Sequence, residues 1–521
     1  MEYSSGKITQ SMKWIFCLLA LYCCHHETSA QKQANNWYFG ANAGLDFSQN
    51  LQPKPVRNSA MNTQEGVATM SDAETGKLLF YSDAVKVWNR ENQPMPNSGD
   101  DDPRDGVNRG YNALSQGALI VPLPGNPSIY FLFSLIEPDP RITNSKPPGV
   151  LTYSRIDMRL DQGKGDVISD DKNTVLADGL VGRLTAVPHT NGRDYWLITH
   201  QSGNNNFLVY PITNSGIGRA DTMGIGSVIH DKFGYLKASP DGRRLACSSR
   251  GTSANPFDLF EFNASNGLIF NYRNLGSFRV GYGVSFSPDN TKLYISTMAA
   301  AAENDMVTYP ELIRQYDLNA GNLADVIASG KSIVYQNPFT NIDQQKDKYT
   351  DFYAPSLQIG PDGRIYCSSN ANARLCKDCG YRFMVINNPN EAGFASNVKV
   401  QVMNLSPGLI ANASDLPNFM QHYFNGLQPH NSSTEGNEPC QGSEVTLAPN
   451  PAHHYIDLEV SNICSMQYDL KLTNISGQAL YTHLAQQPGS QRINISYLSA
   501  GIYFLEIRFK NSKIVKRFFK Y

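Results

Sequence analysis

What this chain lacks narrows its identity before any motif is read. Beyond its first thirty residues, no stretch reaches the eighteen or so consecutive apolar positions of a bilayer-spanning helix, so no transmembrane segment is expected in the mature chain. Charge is sparse and balanced: charged residues make up 17% and the net charge is −2, which argues against nucleic acid as a partner. The HExxH, GxSxG and P-loop signatures are all missing, so the commonest metalloprotease, serine hydrolase and nucleotide-binding chemistries find no support. Cysteine is scarce as well. Nine occur in 521 residues, and Cys17, Cys23 and Cys24 fall within the first thirty. The remaining six, Cys247, Cys367, Cys376, Cys379, Cys440 and Cys464, can act as staples but are too few for a disulfide framework.

What is present reads first as an export leader. Lys7 and Lys13 precede a short apolar core from Trp14 to Tyr22, and Ser29-Ala30 offers small residues for cleavage before Gln31. Residues 1–30 are therefore expected to be a cleaved signal peptide. A lipid-accepting cysteine normally follows a small residue, and Tyr22 precedes Cys23, so a lipoprotein anchor is not expected.

The middle of the chain is a degenerate repeat. Its clearest copies are YLKASPDGRRLACSS from Tyr235, YGVSFSPDNTKLYIS from Tyr282 and PSLQIGPDGRIYCSS from Pro355. Each predicts a strand, a tight turn and a second strand. Proline presets the first corner, aspartate bonds the backbone ahead, and Gly or Asn accepts the positive φ that closes the turn. Weaker copies (VATMSDAETGKLLFYS, ALIVPLPGNPSIYFLFS, LTAVPHTNGRDYWLIT) extend the array towards the N-terminus. Turn positions Gly76, Gly125, Gly192, Gly242, Asn290 and Gly363 are spaced by 49, 67, 50, 48 and 73 residues. A base period near fifty with insertions suits propeller blades, and further strand pairs such as LTYSRIDM, FLVYPITNSG and LFEFNASNG bring each blade to about four strands. With 41 glycines, 27 tyrosines and 24 phenylalanines, the composition agrees with a turn-rich all-β protein. The S-P-D-G turns resemble those of WD-repeat-like β-propellers, which implies the fold and little about function. The expectation is a propeller over 31–426, with seven blades favoured over six because NNWYFGANAGLDF and LPNFMQHYF at its two ends supply strand material for a closing blade. Residues 427–442 have the polar, Gly/Ser/Pro-rich mix of a linker.

The last segment carries an address. LAPNPAHHYIDLEV, YDLKLTNISGQALY and INISYLSAGIYFLEIRFKNSKIVKRFF closely resemble the type A C-terminal sorting domain of the bacterial type IX secretion system. The resemblance implies a small immunoglobulin-like β-sandwich over 443–521. It also implies recognition by the type IX translocon, cleavage by a sortase-like peptidase, and a destination at the cell surface or in the medium. On this reading Asn450 and Pro451 set the opening turn, Gly477 closes a hairpin, and Gly501 and Tyr503 belong to the turn before the final strands.

Candidates for chemistry are few. Asp241, Asp289 and Asp362 of the repeat turns are expected to bond their own turns. Asp100, Asp101, Asp102 and Asp105 are hard oxygen donors that a calcium ion could gather, although EF-hand spacing is absent. No other metal or cofactor is expected. Cys376 and Cys379 suit a local disulfide, and Cys440 and Cys464 suit a bridge at the start of the sorting domain. His189, His200 and His230 are scattered and are not expected to converge. Long insertions carry Arg104, Arg109, Tyr111, Arg141, Tyr349 and Asp351, a mix able to bind glycans or peptides. The WYFG and LTYSRIDM segments look similar to surface proteins of gliding and adhesion. The favoured function is therefore a non-enzymatic, exported binding or scaffold module. The rival is a hydrolase or lyase for extracellular polysaccharide or peptide, which clustered carboxylates at a channel mouth would favour.

Overall fold

A computed structural model describes residues 31–429 and 444–521, apart from segments at 50, 52, 64, 100–109, 112–113, 139–147, 251–253, 280, 298–312, 335–355, 369–380, 404–414, 462–467, 487–488 and 510–511. The chain divides into two compact units, Met1–His430 and Asn431–Tyr521.

Among the described residues, the first unit contains seven antiparallel sheets in chain order. The first is Asn36–Phe39, Ala43–Asp46 and Lys54–Val56; the second is Ala68–Ser71, Leu78–Ser82 and Val87–Asn89. The third begins with Ala118–Leu123, Asn126–Pro138 and Val150–Asp157; the fourth with Leu180–Pro188, Tyr195–Gln201 and Asn204–Thr213, edged by Asp221–Ile229. Three sheets follow with four strands each. They open on Leu236–Ala238, Gly281–Phe286 and Leu357–Ile359 and end on Leu268–Arg279, Lys331–Val334 and Val398–Met403. The opening strands of the second to seventh sheets lie side by side in order, which makes the unit a β-propeller.

The repeat turns form as their chemistry dictates. Gly242, Asn290 and Gly363 take φ of 70°, 65° and 75°, the left-handed corner that a residue with a bulky side chain resists. Asp241 Oδ1 accepts from the Arg243 amide at 3.1 Å, Asp289 Oδ1 from the Thr291 amide at 3.0 Å, and Asp362 Oδ1 from the Arg364 amide at 3.2 Å. All three aspartates therefore hold their own turns, as expected.

Closure of the ring departs from expectation in one respect. The first sheet is supplied by the N-terminal segment, but Leu416–Phe424 forms no ladder with it. Residues 415–420 run without assigned secondary structure, and Gln421–Phe424 is a single 3-10 turn. Isolated hydrogen bonds and aromatic packing replace the ladder. The Leu416 amide donates to Ser356 Oγ at 3.0 Å in the seventh sheet, and the Asn418 amide donates to the Val67 carbonyl at 2.8 Å beside the second. Trp37, fully buried, packs its indole against Phe47, Tyr366 and Phe419 at 5.1, 5.5 and 6.0 Å between ring centroids. Aromatic burial, not strand pairing, joins the two ends of the ring.

Because each sheet is antiparallel, its connections alternate between two ends. The repeat turns mark the lower end. Connections from second to third strands, and from one sheet to the next, attach at the upper end. The segments at 139–147, 298–312, 335–355, 369–380 and 404–414 attach there.

The second unit pairs a sheet of Glu444–Ala448, Tyr455–Ser461 and Gly489–Asn494 with one ordered Ala479–Gln486, Tyr468–Asn474, Gly501–Phe509, Ser512–Lys520. Val445, Ile456, Leu458, Leu470, Leu472, Leu505, Ile507 and Phe518 fill the space between them. This is the expected small sandwich.

Candidate functional site at the upper end of the axis

Residues at or just before the starts of four opening strands come together at the axis, and the closing segment supplies a carboxylate among them. Asp415 is 2% exposed. Its Oδ1 accepts from the Tyr235 hydroxyl at 2.6 Å and the Tyr282 hydroxyl at 2.8 Å, and its Oδ2 accepts from the Gly66 amide at 3.1 Å. Ser115 Oγ donates to the Tyr282 hydroxyl at 2.9 Å. Three sheets thus meet on one carboxylate, and a fourth braces it through Ser115.

Below it the axis is filled. Asn418 Nδ2 donates to the carbonyls of Ala118 (3.2 Å) and Leu184 (2.9 Å), and Gln116 Oε1 accepts from the Leu236 amide at 2.7 Å. Lys237, 2% exposed, donates to the Leu357 carbonyl at 2.7 Å and to Gln358 Oε1. Burial pushes the Lys237 amine down to about 7. The closing segment occupies the space that would otherwise be a channel.

Above Asp415 the side chains are partly exposed. Glu65 is half-buried, and burial first and the charge of Asp415 second push its carboxyl up to about 8, while Arg250 and Lys232 pull it down. Asp415 is also raised by burial. Of the two, Glu65 is the proton carrier, because three donors favour the ionised form of Asp415. Arg250 places its guanidinium 5.1 Å from the Phe233 ring centroid and 5.8 Å from that of Tyr282. Lys232 Nζ lies 2.7 Å from Glu137 Oε2 and 5.2 Å from the Phe233 centroid. Arg183, 0% exposed, gives its guanidinium to the carbonyls of Ser248 (2.6 Å), Asp231 (3.0 Å) and Phe233 (3.2 Å), which fixes the 231–234 loop that carries Lys232 and Phe233. Gly234 is required at this point: with φ of +147°, an added Cβ would sit 2.4 Å from the Arg183 guanidinium. Among the described residues the arrangement offers a proton donor at neutral pH and two cations on aromatic faces, and no nucleophile-base pair.

Asp100, Asp101, Asp102 and Asp105 fall outside the described residues, as do Cys376, Cys379, Cys440 and Cys464 and the insertion residues Arg104, Arg109, Arg141, Tyr349 and Asp351. Among the described residues Cys247 and Cys367 are buried free thiols, and no group of three or more His, Cys, Asp or Glu could hold a metal ion. His200 is buried against Phe207, whereas His189 stacks on Trp196 at the lower end. In the sandwich, Asn450 Nδ2 donates to the Arg517 carbonyl at 3.2 Å, and its Oδ1 accepts from the Phe519 amide at 3.0 Å. Pro451 follows it, Gly477 takes φ of 81°, Gly501 pairs with Lys520 as the first residue of its strand, and the Tyr503 hydroxyl donates to the Ser499 carbonyl at 2.8 Å. Sequence reading missed Glu65, Tyr235, Tyr282, Arg250 and Asp415; of these only Tyr235 and Tyr282, at the starts of opening strands, carried a local signal.

The fold and the filled axis define a β-propeller followed by a sandwich. Residues 446–521 match the secretion system C-terminal sorting domain, and a domain of that kind implies export by type IX secretion to the cell surface or the medium. No curated protein matches the sequence. Among solved structures, the Pseudomonas aeruginosa periplasmic gluconolactonase PpgL is 11% identical, with a TM-score of 0.34 over 73% of this chain and 88% of its own. A putative 6-phosphogluconolactonase from Bacteroides uniformis is 13% identical, with a TM-score of 0.33 over 82% and 98%. Kluyveromyces lactis Hsv2p is 10% identical, with a TM-score of 0.32 over 71% and 95%.

Proposed function

We propose that this chain is an exported propeller that binds an extracellular glycan or protein at the upper end of its axis, delivered as a surface-attached or released module. The observation that carries this reading is the convergence of Glu65, Lys232, Arg250, Phe233 and Tyr282 at the upper end of the axis. Aromatic faces overlaid by cations favour a ligand with both planar and anionic groups. Asp415 spends its oxygens on Tyr235, Tyr282 and Gly66, and the closing segment fills the axis beneath, which supports binding over turnover. The test is an array of glycans and peptides probed with the full chain and with Arg250→Ala. Loss of every hit in the variant supports the reading, and unchanged hits refute it.

A second reading, hydrolysis of polysaccharide, draws on one observation: Glu65 holds a proton near neutral pH beside a second carboxyl. Release of reducing ends by the full chain, abolished in Glu65→Gln, would favour it. No release from any arrayed glycan rules it out.

A further inference from the structure

The rim of the upper site carries an ion pair that is open to water. Lys232 comes from the 231–234 loop. Glu137 comes from the second strand of the third sheet, where that strand runs past its opening neighbour to pair with Gly110–Tyr111. Lys232 Nζ and Glu137 Oε2 are 2.7 Å apart, and their side chains are 34% and 35% exposed. A pair this exposed adds little to stability, so either member can change partner at small cost. Lys232 and Arg250 both lie over the Phe233 ring, 5.2 and 5.1 Å from its centroid, which holds the two cations near one another. Lys232, Phe233, Arg250 and Glu137 are all half-buried, so each reaches the surface.

The surroundings favour an anion in the place of Glu137. Arg183, buried behind the loop, donates to the carbonyls of Asp231, Phe233 and Ser248 and to Ser249 Oγ, so these bonds bring its charge to no carboxylate. Burial first and the Arg183 charge second push the His200 imidazole down to about 3, as a positive local field requires. The other acids are committed or neutral. Asp231 Oδ1 accepts from the Phe233 amide at 2.8 Å, and Asp415 serves its three donors. Glu65 faces Asp415, Arg250, Lys232, Tyr235 and Tyr282, and with its carboxyl raised to about 8 it keeps its proton at pH 7.

A glycan suits this end better than a peptide. Peptides are commonly read by adding to a free strand edge. The backbone groups of the opening strands that face the axis are already bonded: Ala118 and Leu184 to Asn418, Leu236 to Gln116, and Leu357 to Lys237. Resting on the reading of the upper end as a binding surface, we propose that it takes an acidic glycan, whose carboxylate or sulfate displaces Glu137 from Lys232 and lies beside Arg250. Glu137 is then a built-in stand-in for the anion of the ligand.

The test is calorimetric titration of the full chain with hexamers of galacturonate and mannuronate, which offer carboxylates, and with sulfated maltohexaose. Methyl-esterified galacturonate hexamer, plain maltohexaose and poly-glutamate are the controls. At least one acidic hexamer should bind, and added salt should weaken it. Lys232→Gln should weaken the binding about tenfold, the loss of one charged contact, and should leave the thermal midpoint unchanged. Glu137→Gln should tighten it about two- to threefold, because the competing pair is gone, whereas a purely structural pair gives no gain. The proposal is overturned if no acidic hexamer binds, if an uncharged control binds as tightly as its charged form, if poly-glutamate binds more tightly than all three, or if Glu137→Gln weakens the binding. A neutral glycan or a peptide captured on the array and lost in Arg250→Ala would leave the upper end a binding surface and sink only the acidic-glycan assignment. An array without hits sinks both.

Discussion

Tyr235 and Asp415 are 180 positions apart in the chain, and the tyrosine hydroxyl donates to the carboxylate across 2.6 Å. One residue begins the fifth sheet and the other begins the closing segment, so the bond exists only when the ring is complete. Asp415→Ala should therefore act on the whole propeller. It strands two buried phenols and an amide, and unfolding by urea should show a loss of about 3 kcal/mol. Asp415→Asn, which keeps an acceptor, should lose less.

The axis also makes stability depend on pH in two opposed ways. Glu65 has a folded pKa of about 8, above its ordinary 4.5, so its contribution is full below about 4.5 and is lost as pH rises through 8. Lys237 has a folded pKa of about 7, below its ordinary 10.5, so its contribution is full above 10.5 and is lost as pH falls through 7. Urea midpoints measured across pH should lose the first slope in Glu65→Gln and the second in Lys237→Met.

Removal of the sorting domain should separate fold from address. A chain ending at residue 430 keeps the closing segment and should melt in one cooperative transition, yet should accumulate in the periplasm. A chain ending at residue 414 should not melt cooperatively. Surface display of the 430-residue form, seen by protease accessibility on whole cells, would refute the address.

Cys247 and Cys367 are 2% and 0% exposed, and burial pushes the Cys247 thiol up to about 11 and that of Cys367 higher. Neither should react with a thiol reagent in the native protein at pH 8, whereas both should react in denaturant. Rapid native labelling of either would show that its sheet opens.

Local chemistry was legible in the sequence, and closure was not. Asp241, Asp289 and Asp362 were readable because a turn depends on four adjacent residues, and the structure repeats that logic at each lower end. The helix Leu323–Ser329 was not anticipated, although Asn322 and Asp325 form a capping box; it sits where a direct strand connection was expected. Leu416–Phe424 reads as a strand, but its amides find Ser356 and Val67 in neighbouring sheets, partners that no local pattern encodes. Glu65 and Arg250 offered nothing to read, since proximity at the axis is set by the other sheets. The pairing of Lys232 with Glu137 was hidden for the same reason.

The placement of the closing segment has a consequence for biogenesis. In chain order Asp415 comes after all seven sheets, so the first and seventh have no latch between them until nearly the whole propeller has been made. Closure of the ring is therefore a late event in chain order, and the sorting domain follows directly behind the piece that completes it.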